Sequence, residues 1–161
     1  MTDFERARAR LYEFKGDAYL YGAGVLAAVG SAVASQGKKA ALVRGTFPGS
    51  DGHVRTITRS LAAAGVDLAG EIKGARPNAP REDLFRIADD LGQVTPGVLI
   101  SFGGGSTIDA AKAAAVLCTL GGEIDDYFGT DRVAALVDRS GRPLLPHVAI
   151  QTVASSAAHL T

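Results

Sequence analysis

Two hydrophobic periods alternate along the chain. Residues 40–43 form a short apolar run behind Lys38 and Lys39, and residues 98–102 (VLISF) are apolar almost throughout, the pattern of a strand buried on both faces. Residues 66–72 and 147–153 read as two further strands, and residues 17–21 (DAYLY) as a short one ending at Gly22. Between them apolar residues recur three and four apart. Leu26, Val29 and Val33 mark a helix over 24–36, and Leu84, Ile87 and Leu91 one over 81–92. Further helices are expected over 53–64 and 107–119. Residues 45–52 have loop chemistry, and residues 75–80 must be a loop, because Pro77 and Pro80 suit neither a helix interior nor a central strand. Residues 121–146 have no clear period. Strands alternating with helices predict an α/β domain of Rossmann-like type: a mostly parallel, doubly wound sheet with helices on both faces.

Composition narrows the partners more than the fold. The 161 residues suit one domain with its own core. Seventeen basic residues balance seventeen acidic ones, which removes the electrostatic case for nucleic acid. One cysteine, Cys118, excludes a disulfide-built scaffold; on an apolar helix it is expected to be buried packing. No apolar run reaches the roughly 18 residues of a membrane span, and the first ten residues lack the apolar stretch of a secretory signal. A cytoplasmic domain is expected.

Candidate chemistry concentrates at residues 98–117, where a strand meets Gly103-Gly104-Gly105-Ser106 and a helix follows. Glycines admit a phosphate close to the backbone, and helix N-terminal amides with their dipole favour an anion. Ser106 and Asp109 have capping-box spacing, so Asp109 is expected to hold the turn. The pattern is neither a Walker A loop, since Lys112 lies inside the helix, nor G-x-G-x-x-G, since Ile108 occupies the third glycine position. A tight strand-to-helix turn without ligand is the alternative. A second candidate, Gly22-Ala23-Gly24-Val25-Leu26-Ala27, matches G-x-G-x-x-A; it reads either as a dinucleotide fingerprint of NADP type or as a plain turn.

The stretch GGGSTIDAAK resembles the iron-containing (group III) alcohol dehydrogenases, a superfamily that includes glycerol dehydrogenases. Gly103 to Ser106, Asp109, Ala111 and Lys112 fit its pattern. Tyr21-Gly22-Ala23-Gly24 resembles the early F-G-x-G turn, Pro77-Asn78-Ala79-Pro80 the P-N-P loop, and Asp125-Asp126-Tyr127 the D-Y element. Residues 151–161 line up with P-T-T-A-G-T-G-S-E-V-T. The resemblance runs from about residue 16 to Thr161 and covers the nucleotide-binding half, so residues 1–161 are expected to be that domain, truncated before the helical metal-binding one.

The resemblance implies that Gly104, Gly105, Ser106 and Thr107 hold the dinucleotide pyrophosphate. Thr152 and Val153 would line the adenosine and ribose side, and Asn78 would border the cofactor. Gly45 stands where many members carry the Asp that repels a 2′-phosphate; with Arg44 beside it, this favours NADP over NAD. Gln151 and Val153 replace the family's usual Pro and second Thr, and residues 155–159 replace G-T-G-S-E, which leaves the substrate open. The implied activity is a metal-dependent oxidoreductase acting on a small alcohol or aldehyde, homo-oligomeric when complete. Its Fe²⁺ or Zn²⁺ would come with the missing domain, leaving this chain inactive alone. His53 reads as a surface residue at a helix start and His147 as structural, while His159 falls in the loop facing the reaction centre; no two form a metal-binding pair. Two other readings stand beside this one. A stand-alone dinucleotide- or phosphate-binding module would need no second domain. A dehydroquinate-synthase-like lyase would need D-x-x-G-F, which Ala111-Lys112-Ala113 does not supply.

Overall fold

A computed structural model describes residues 2–153 and Ala158. The elements run α1 (Asp3–Lys15), a 3-10 turn (Gly16–Ala18), a second (Val25–Ala28), α2 (Val29–Ala34), β1 (Lys39–Arg44) and α3 (Ser50–Ala63). Then come β2 (Asp67–Lys73), α4 (Arg81–Val94), β3 (Val98–Gly103), α5 (Gly105–Leu120), a 3-10 turn (Ile124–Tyr127), α6 (Arg132–Ser140) and β4 (His147–Gln151). The strands lie in the order β2-β1-β3-β4 with every pairing parallel. Among the described residues no helix is long and apolar enough to cross a membrane.

Strand alternation divides the core into two halves. Ala41, Val43 and Leu99 face α4 and α5, where they meet Leu84, Ile87, Leu91 and the small inner face of α5, Ala110, Ala111, Ala114 and Ala115. Ala40, Leu42, Val98, Ile100 and Phe102 face α2 and α3, where they meet Val33, Val54, Ile57 and Leu61. Each fully buried aliphatic chain contributes about 1.5–3 kcal/mol of transfer free energy. All six residues of β3 are buried, as expected of a central strand covered on both sides. The doubly wound parallel sheet is therefore the one the alternation predicts.

Several local expectations differ. Residues 17–21 are not a strand: the chain turns at Gly16 (φ 55°), and Tyr19 and Tyr21 lie ring against ring, 6.1 Å apart, with no neighbouring strand. The G-x-G-x-x-A match at 22–27 loses its meaning with that strand, since it opens a 3-10 turn rather than a βα crossover. The helix expected over 24–36 divides accordingly into that turn and the six residues of α2. The last strand ends at Gln151 instead of 153. Residues 3–15 form a helix that its strongly charged sequence conceals; a Thr2–Glu5 capping box starts it, and none of its residues is buried. Cys118 is exposed, because α5 turns Ala114, Ala115 and Leu117 inward while residue 118 faces out.

Candidate functional site

In an open parallel sheet the ligand cleft lies beyond the carboxyl ends of the strands, where the winding reverses. Here the reversal falls between β1, which leads on to β2 at one side, and β3, which leads on to β4 at the other. The carboxyl end of β3 is the glycine turn, and that of β1 is Arg44 followed by Gly45. The Gly45 N–H donates to the Phe102 carbonyl at 2.8 Å, and the Gly74 N–H to the Arg44 carbonyl at 2.7 Å, so the three strand ends are tied side by side.

Helix α5 starts at Gly105 with Gly104 as its N-cap, and no side chain caps it. The amides of Thr107 and Ile108 both return to the Gly104 carbonyl at 3.1 Å. The amides of Gly105 and Ser106 precede those first intrahelical bonds, at the positive end of a 16-residue helix. The expected capping box is absent. The helix begins two residues earlier than its pattern suggests, so Ser106 lies inside the first turn and its hydroxyl accepts from the Asn78 N–H at 3.1 Å. Asp109 instead lies 3.7 Å from Lys112, one turn on.

Thr107 is 5 % exposed and fills the space between three glycines. A Cβ on Gly103 would lie 2.8 Å from its side chain, one on Gly74 2.9 Å, and one on Gly45 3.2 Å. Thr107 thus packs beneath the turn. The Thr152 N–H donates to the Gly103 carbonyl at 3.1 Å, and a Cβ on Gly104 would meet Val153 at 3.3 Å. Gly45, Asn78, Gly104, Gly105, Ser106, Thr107, Thr152 and Val153 therefore form one contiguous group at the strand ends. Gly74 and Gly103 belong to it as well; a glycine directly after a strand was the available signal for Gly74. His159 lies outside the described residues.

The charges around the site are already balanced. Arg44 bonds Asp51 at 2.6 Å, Ser50 at 2.9 Å and Glu71 at 3.0 Å. The Asp51 bond chiefly raises its pKa above the ordinary value. Asp83, buried at the third position of α4, accepts from the Arg76 N–H at 2.8 Å and from its Nε at 3.0 Å; this arginine holds the carboxyl below the usual range. His147 opens β4, 2.8 Å from Ser101 Oγ; burial, helped by the nearby Lys112 charge, pushes its pKa down to about 4. His53 is exposed on α3, its ring against Phe47 and Phe102. Among the described residues no three of His, Cys, Asp and Glu come together as metal ligands.

Comparison with known proteins fits this geometry. The chain is 32% identical over 145 residues to the NAD-dependent methanol dehydrogenase of Bacillus methanolicus, covering 89% of this chain and 36% of that protein. It is 39% identical over 79 residues to the NADPH-dependent butanol dehydrogenase of Clostridium saccharobutylicum, covering 48% of this chain and 20% of the other. The crystal structure of NADH-dependent butanol dehydrogenase A from Thermotoga maritima superposes with a TM-score of 0.72 at 21% identity, over 86% of this chain and 33% of that one, and shares its fold. The chain thus spans about a third or less of these relatives. The family model for iron-containing alcohol dehydrogenases matches residues 17–161, and the chain belongs to that family.

Proposed function

We propose that these residues are the dinucleotide-binding part of an NAD(P)-dependent alcohol dehydrogenase that interconverts a small alcohol and its aldehyde or ketone. The observation that carries this reading is the uncapped start of α5 behind consecutive glycines, placed at the reversal point of the sheet. The amides of Gly104, Gly105 and Ser106 hold the pyrophosphate, with Thr107 supporting them from below. Asn78 borders the cofactor, and Thr152 and Val153 line its adenosine and ribose side. The bound nicotinamide supplies the hydride acceptor; the protein's part is to fix its orientation and exclude water.

Fe²⁺ or Zn²⁺ would polarise the substrate oxygen. Its ligands would come from sequence beyond these 161 residues, which alone bind dinucleotide without turning over alcohol. The complete enzyme is a cytoplasmic homo-oligomer on this reading, without nucleic-acid or membrane partners.

NADP is accepted as well as NAD. Gly45 brings no carboxylate to the ribose side, so a 2′-phosphate meets no repulsion from that position. Arg44 adds little to selectivity, because Asp51 and Glu71 already share its charge. Calorimetric titration with NADH and NADPH tests both statements. Binding of either that is lost on Gly105→Asp supports the site, and a clear preference for NADH ends the NADP reading. Failure of both to bind would leave the turn as a structural βα connection.

A further inference from the structure

We infer that Asp83 is a positioning residue for the dinucleotide site, acting through the 74–80 loop; this rests on the function proposed above. Asp83 sits at the third position of α4, where a carboxylate commonly caps its own helix. No side chain caps α4. The buried Asp83 carboxylate reaches back instead to the Arg76 N–H at 2.8 Å and Nε at 3.0 Å. Burying a carboxylate is costly unless it is well bonded. Here those bonds fix a loop.

That loop holds a conformation it would not keep by itself. Asn78 (φ 66°) and Ala79 (φ 47°) are consecutive left-handed residues, and alanine gains nothing from that region. The loop is tied at both ends. The Ala79 N–H closes onto the Arg76 carbonyl at 3.1 Å, so fixing Arg76 fixes the turn. Upstream, the Gly74 carbonyl accepts from Arg86 at 3.0 Å. The turn presents the Asn78 N–H to Ser106 Oγ at 3.1 Å. Asp83 thus sets, through Arg76 and Asn78, where the Ser106 hydroxyl sits beside the proposed pyrophosphate cradle. Arg76 is 61 % exposed, so its charge contributes little. The acceptor atom matters more than the negative charge.

The test compares wild type with Asp83→Ala and Asp83→Asn, titrating NADH and, by competition, adenosine, which carries no phosphate. Amide exchange of the 76–80 segment is followed in the ligand-free protein. Asp83→Ala should weaken NADH about tenfold, the scale of one displaced hydrogen bond, and leave adenosine unchanged. It should also speed exchange at Asn78. Asp83→Asn keeps an acceptor for the Arg76 N–H and should restore both. A purely structural role would weaken NADH and adenosine alike and would not be rescued selectively. Wild-type binding by Asp83→Ala, or unchanged exchange at Asn78, overturns the inference. If wild type itself fails to bind NADH, the functional reading fails, whereas the exchange result still decides whether Asp83 orders the loop.

Discussion

Thr107 gives the glycines around the site a common cause. Gly45, Gly74 and Gly103 end or follow three different strands, and a side chain on any of them would press on this one threonine. Gly45 is the most permissive, since its added Cβ would lie 3.2 Å from a hydroxyl that can give by a few tenths of an ångström. Gly45→Asp is therefore expected to fold. It should lower NADPH affinity at least about tenfold by like-charge repulsion and leave NADH nearly unaffected. Parallel titrations of the variant would show this, and an equal loss for both cofactors would place the 2′-phosphate elsewhere. His147 supplies a second prediction at this scale. Its pKa is about 4 in the native chain against 6.5 for an ordinary imidazole, so between those values the unfolded chain takes up a proton that the native chain refuses. Stability should fall as pH drops through that window, by at most about 3 kcal/mol. Urea unfolding at pH 7 and pH 4.5 should show a larger drop in wild type than in His147→Leu; equal drops would mean that His147 is not the group responsible. Both residues were visible in the sequence. Their environments were not, because Thr107 and Ser101 reach them from other elements.

The elements most readable in the sequence are those whose pattern has one physical cause. The apolar runs of β1 and β3 are buried on both sides, and the three- and four-residue spacing in α4 marks its single inward face. Legibility fails where packing is marginal. None of the residues of α1 or α6 is buried, so charge masks the helical period of the first, and Val133, Leu136 and Val137 make only a short stripe on the second. The DAYLY segment alternates well enough for a strand but pairs with none of the described strands. The glycine turn was legible from its residues, and Asn78 only through family resemblance. The Asp83–Arg76 link was not legible, since nothing local signals a carboxylate reaching back across a loop. Close helix approach is similarly silent in sequence. Gly30 of α2 lies so near α3 that an added Cβ would stand 1.9 Å from the Ser60 carbonyl oxygen, and its N–H donates to Ser60 Oγ at 2.9 Å. Ser60 Oγ in turn donates to the Ala27 carbonyl at 2.6 Å. Gly30→Ala should cost about 1–3 kcal/mol or more by forcing the helices apart. Ser60→Ala should cost about 1–2 kcal/mol through the lost bonds. Because both changes disrupt one contact, the double variant should cost less than their sum, and a fully additive result would mean that the helices do not meet there.

At the scale of the whole molecule, one sheet serves two half-cores and one cleft. The strands that end at the cleft, β1 and β3, place residues in both clusters. Global unfolding must therefore dismantle the site. Loss of Leu61 on one side or Leu91 on the other, each to Ala, should lower the same single transition by about 2–5 kcal/mol. Ligand linkage follows from the same topology. A dinucleotide that binds only the native sheet stabilises it by about 2.7 kcal/mol at a hundredfold excess over Kd. For a domain of 161 residues that corresponds to a rise in Tm of roughly 8 °C. Gly105→Asp places a carboxylate at the start of α5, where the helix dipole favours it. The variant should therefore keep the ligand-free Tm while losing the rise with NADH. Thermal scans of both proteins with and without NADH separate the possibilities. A rise that persists in Gly105→Asp would move the anion site away from α5. A lower ligand-free Tm in the variant would show that the glycine turn has no room for a side chain, and Ser106→Ala, which leaves the backbone intact, would then carry the comparison.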